Sequence, residues 1–121
     1  MADVPETYHI TGDSGGLTSR EYNNNVFGQY DLFTTSYKNV NVLLYKKNTT
    51  GTVFWMFNIT DTGFWMVGYE EKGLVMMGTG NELHAPSHGW TLPIKIKDNE
   101  YRHYGDSSIT VRADIGKFDD S

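Results

Sequence analysis

A chain of 121 residues with ten basic and fifteen acidic side chains carries a net charge of -5 and holds no cysteine. That length bounds it to one domain, residues 1–121, with an ordered core expected over 8–113 and an acidic C-terminal tail, "DIGKFDDS". The charge argues against nucleic acid and anionic membrane as main partners, and the missing thiols exclude disulfides and zinc–thiolate sites.

The opening Met1-Ala2-Asp3-Val4-Pro5 lacks the charged and apolar segments of a signal peptide, and no apolar run approaches the ~20 residues that span a bilayer. The expectation is a soluble, cytoplasmic protein, or a secreted one if a leader precedes this sequence. Two sequons, Asn48-Thr49-Thr50 and Asn58-Ile59-Thr60, matter only in the second case and otherwise read as turn and strand residues.

Near the N-terminus, Gly12-Asp13-Ser14-Gly15-Gly16 matches the string around the nucleophilic serine of trypsin-like proteases. Those enzymes resemble one another in having two β-barrels, with histidine and aspartate both ahead of the serine. Here only His9 precedes Ser14, with no room for a barrel between them, and nothing local supplies an oriented base. The string reads instead as a glycine-rich turn at the mouth of a first strand, where Gly12, Gly15 and Gly16 supply backbone angles that other residues resist.

Thirteen glycines, three prolines and seventeen aromatic residues, with clusters of Val, Ile and Thr, describe an all-β chain rich in turns. "GQYDLFTTSY", "NVNVLLYKK", "TVFWMFNIT" and "FWMVGYE" are each closed by Asn, Asp or Gly, so they pair as a four-stranded antiparallel meander. "LVMMG", "GWTLPIKI", "EYRHY" and "SSITVRA" add four more strands, with Pro93 placing its own near an edge or bend. Between them, "TGNELHAPSHG" is irregular, with at most a short turn near Glu82. The predicted fold is a single antiparallel meander of roughly eight short strands closing into a small barrel or sandwich.

The central strands are apolar on both faces. Val53, Trp55, Phe57 and Ile59 alternate with Phe54, Met56 and Asn58, and neither set can be left bare in water. Folding over of the remaining strands, or a second subunit, must cover the surplus, which predicts a homodimer. Trp55 and Tyr45 are the expected core aromatics.

Catalytic constellations are weak. His84 and His88 stand four apart, but Pro86 between them argues against a shared helical face; a loop could still present both to a metal with Glu82 or Asp106 as a hard third ligand, though nothing fixes that third ligand. Acids sit at strand ends, and "GTG" at 78–80 lacks the lysine and helix of a phosphate loop. No enzyme, metal or cofactor is predicted. Aromatics at loop edges are the stronger signal: Trp90 beside His88, and Tyr104 beside Asp106, combine flat apolar rings with polar neighbours that suit stacking on sugars.

Taken in order, "ITGDSGG", "GQYDLF", "VLLYKK", "FWMF", "GFWMVG", "APSHGW" and "YRHYGDSSITV" resemble a repeat module found in many invertebrate proteins, often in tandem. The similarity covers residues 9–111 and is clearest at Gly28, Tyr30, Tyr45, Trp65, Gly68, Pro86, Trp90, Asp106, Ser108, Ile109 and Val111. It departs at Val42-Leu43-Leu44, where the module has Arg-Pro, and at Phe64, the first of its paired tryptophans. The resemblance implies a one-module all-β fold and no defined activity. The expected function is non-catalytic, lectin-like carbohydrate binding by Trp90, His88, His84, Tyr104, Asp106 and Asp13. The alternatives are a protein-interaction module using an apolar aromatic sheet face, a barrel holding a small apolar ligand, or a small hydrolase.

Overall fold

A computed structural model describes residues 4–22, 25–47, 53–59, 63–69, 73–81 and 83–114. Its elements in chain order are β1 (Thr7–Thr11), α1 (Leu17–Tyr22), β2 (Gly28–Tyr37), β3 (Val40–Lys47), β4 (Phe54–Ile59), β5 (Phe64–Tyr69), β6 (Gly73–Thr79), β7 (Thr91–Lys97), β8 (Glu100–Gly105) and β9 (Thr110–Asp114). The strands form one antiparallel sheet, ordered β8-β7-β6-β5-β4-β3-β2-β1-β9 and curled into a half-barrel. The meander is therefore as expected, and the architecture is a curled single sheet and not a sandwich. Among the described residues no helix is long and apolar enough to cross a membrane. The sequon at 48–50, the turn near Glu82 and the tail at 115–121 lie outside the described residues.

Two elements go beyond the sequence reading. β1 is a ninth strand, so the glycine-rich loop follows the first strand and does not open it. Its five residues offer only Tyr8 and Ile10 to the core, too short an alternation to stand out. α1 has six residues, fewer than two turns, and shows no apolar stripe for the same reason. β1 matters nonetheless, because it pairs with β2 on one side and β9 on the other, joining the end of the chain to its beginning.

The inner face holds the core. Tyr8, Ile10, Tyr30, Leu43, Tyr45, Phe54, Met56, Trp65, Val67, Val75, Met76, Trp90, Leu92, Ile109 and Val111 are all buried there. On β4 the buried set is Phe54, Met56 and Asn58, so Trp55, expected in the core, belongs to the outer face; the buried tryptophans are Trp65 and Trp90. Tyr45 is buried as expected. The aromatic side chains with polar tips in the core have partners, whereas the buried Thr18 hydroxyl has none. Tyr45 donates to the Pro5 carbonyl at 2.6 Å, Tyr30 to that of Val26 at 2.7 Å, and the Trp65 indole to that of Asn81 at 2.9 Å. Burial pushes the Tyr8 phenol up to about 12 and raises those of Tyr30 and Tyr45 as well. Asn58 is also satisfied, its Nδ2 donating to the Asn81 carbonyl at 3.3 Å, which places this second sequon's asparagine inside the fold.

Backbone irregularities shape the curl. Lys38 and Asn39 both adopt positive φ, 51° and 67°, in the two-residue turn joining β2 to β3. Register shifts within β2, between Leu32 and Thr34 and again between Thr34 and Ser36, bend that long hairpin. β7 meets β6 at a single register position, Met77 opposite Thr91. Pro93, two residues on, has no N–H to donate, and there β7 peels away from β6 with β8 as its remaining partner.

Candidate functional site

The residues expected to form a loop site divide into a structural joint and scattered surface groups. Trp90 is 1% exposed, and its ring lies against Gly78, where an added Cβ would approach the indole to 3.1 Å. Its indole N–H donates to the Pro86 carbonyl at 2.9 Å. As a stacking platform for a sugar, then, Trp90 is unavailable: a strand-edge tryptophan next to a glycine-floored groove gains more from burial than from exposure.

Asp106 is likewise a joint residue. It is buried at 7% exposure, and its carboxylate accepts from the Thr18 N–H at 2.9 Å, the Ser108 N–H at 3.0 Å and the Ser108 hydroxyl at 2.7 Å. Burial alone would raise its pKa, but these hydrogen bonds from Ser108 and Thr18 outweigh it and hold the carboxyl below the usual carboxylate value. Its own N–H donates to the Trp90 carbonyl at 3.2 Å.

Asp13 reaches the same joint through its backbone. Its N–H donates to the Ser108 hydroxyl at 3.1 Å and its carbonyl accepts from the Gly16 N–H at 3.0 Å and the Ser19 hydroxyl at 2.8 Å. Ser14 sits in the exposed turn beyond it. Gly12 and Gly16 are there for space, whereas Gly15 is exposed with nothing around it, and none of the three has the unusual backbone angles the sequence suggested. A Cβ at Gly12 would lie 2.6 Å from the Phe27 ring, and one at Gly16 would lie 2.8 Å from the Ser108 hydroxyl. The protease-like string is thus a close-packed lead-in to α1, docked on the turn before β9.

The joint also stitches the open side of the half-barrel. Val111 N–H donates to the Ser87 carbonyl at 3.0 Å, and Ala85 N–H to the Tyr8 hydroxyl at 2.9 Å, so the 83–90 segment lies across the gap between β9 and β6. His84 is exposed, its N–H bonded to the Asn81 side chain at 2.8 Å. His88 and His103 line a shallow cleft of about 350 Å³ with Phe64, Met77 and Thr91. Tyr104, 42% exposed, stands on the edge strand β8 opposite Leu92. Among the described residues no three His, Asp or Glu gather into a metal-binding group.

The apolar aromatic sheet face, expected from the sequence only as an alternative working surface and without named site residues, is on the outer face. Strands β3 to β6, with the bent end of the β2–β3 hairpin, enclose an open trough of about 680 Å³. Its lining is Phe33, Tyr37, Val40, Leu44, Trp55, Phe57, Ile59, Met66 and Leu74, with Lys38 as a charged member. Phe33 and Trp55 meet edge to face at 5.4 Å. Several of these rings and chains remain largely in water: Phe33 is 59% exposed, Tyr37 55% and Ile59 42%. The trough exists because the outward positions of β4, Trp55, Phe57 and Ile59, are as apolar as the inward ones, and β2 curls over them without closing. The sequence signal was that two-sided apolar alternation. What it could not give was which side would be walled in.

No family model, no curated protein and no solved structure matches this chain.

Proposed function

We propose that this chain is a non-catalytic binding module whose working surface is the apolar trough on the outer face of β3–β6. The observation that carries this reading is a half-walled concavity of about 680 Å³, within the size range of small-molecule sites, lined by aromatic and aliphatic side chains that water would otherwise cover. Carbohydrate recognition, the reading suggested by the loop aromatics, loses Trp90, which is part of the core, and keeps Tyr104 exposed.

The test is a fluorescence titration with N-phenyl-1-naphthylamine, a neutral apolar probe. Wild type should brighten the probe and lose Trp55 emission together, saturably. The double variant Ile59→Asn/Leu74→Asn, at two exposed positions, should bind about tenfold more weakly with an unchanged melting temperature. A probe that stays dark with wild type would sink the reading. So would a concentration-dependent dimer broken by the same substitutions, since the trough would then be the contact with a second copy.

A further inference from the structure

We infer that the trough takes a small amphipathic anion, its apolar body against Trp55, Phe57 and Ile59 and its negative head at the lysines on the rim. This rests on the trough being the binding surface and adds the sign of its ligand. Charge is distributed unevenly along the chain: residues 32–60 contain Lys38, Lys46 and Lys47 and no acid, although the whole sequence has fifteen acids against ten basic residues. Of the acids that border this span, Asp31 and Asp61, Asp31 stands opposite Lys46 in the β2–β3 register, its carboxylate accepting from the Thr7 hydroxyl and the Gln29 amide. That span supplies the bent part of β2, all of β3 and all of β4, the strands that make one wall and much of the floor.

Two of the three lysines are held at the trough. Lys38 lines it, presented by the tight β2–β3 turn, with its ammonium 5.4 Å from the Tyr37 ring centre. Lys46 projects from β3 over both Phe33 and Trp55, at 5.9 and 5.7 Å. Rings beneath a cation keep it close to the apolar surface without neutralising it, leaving its charge for an incoming anion. Lys47 points elsewhere, over Phe54 and onto the Asn25 carbonyl. Two ion pairs among the described residues, Lys95–Asp98 and Lys97–Glu100, are on the distant β7–β8 hairpin. On a chain of net charge -5, an anion is drawn to such a local positive rim and turned away from most of the remaining surface.

The discriminating probes share one ring skeleton: 8-anilinonaphthalene-1-sulfonate carries a sulfonate that N-phenyl-1-naphthylamine lacks. Wild type should bind the sulfonate more tightly, and added salt should weaken that binding while sparing the neutral probe. Lys38→Met/Lys46→Met, which keeps long apolar stems, should weaken the sulfonate about fivefold and leave the neutral probe unchanged. Equal affinities for the two probes, indifferent to salt and to the double replacement, would overturn the anion assignment and leave the trough standing. Failure of both probes to bind would overturn the assignment together with the trough reading.

Discussion

Asp106 illustrates how little a side chain's type says about its employment. Next to Tyr104 in the sequence it looks like a polar loop ligand, yet three hydrogen bonds from Thr18 and Ser108 occupy its carboxylate. An Asp106→Asn variant keeps the size but turns one acceptor into a donor facing other donors, and should lose about 1–3 kcal/mol of stability by urea denaturation near neutral pH. The pH dependence has a definite sign. The folded-state pKa is depressed, so the stabilisation is present above the unfolded value of about 3.9 and is lost as pH falls through the lower native value. The gap between wild type and variant should therefore narrow on acidification. A gap that is constant across that range would contradict the assignment. Trp90 is the companion case: a loop-edge tryptophan by sequence, it is a core residue because Gly78 leaves room beneath its ring.

At the level of elements, the strands that could be read from the sequence are those closed by turn residues. β2 through β5 needed only alternation and an Asn, Asp or Gly at each end, and they pair as sequential hairpins. β1 and α1 escaped because their significance is in their partners: β1 is held by β9, a strand about a hundred residues away, which no local pattern encodes. The β7–β8 hairpin is the weakest attachment, with one register position on β6 and every residue of β8 exposed. Its amides from Glu100 to Tyr104 should exchange with deuterium faster than those of β4, where pairing is continuous on both sides. Equal protection across the two regions would show that the hairpin is held by more than this single contact.

For the molecule as a whole, the curl of one sheet creates two unlike environments from similarly apolar faces. The inner face is sealed by β9, the 83–90 segment and the Asp106 joint; the outer face over β3–β6 is only half covered. The three tryptophans report on this directly. Acrylamide should quench Trp55 emission strongly and leave Trp65 and Trp90, at 0% and 1% exposure, almost untouched, as single Trp→Phe replacements would apportion. Quenching dominated by Trp90 would restore the loop as the open aromatic surface.

By itself the sequence determined the all-β class, the antiparallel meander and the presence of more apolar surface than one small core absorbs, because these follow from periodicity, turn chemistry and composition. Tertiary structure alone decided which face was sealed. Trp55 left its expected place because a period of two separates the sides of a strand without saying which side is inward, and Trp90, just before β7, because Gly78 leaves room beneath its ring. That choice is made by the curl of the sheet, by the return of β9 to β1, and by the packing of Gly16 against Ser108, far along the chain, and of Gly78 against Trp90.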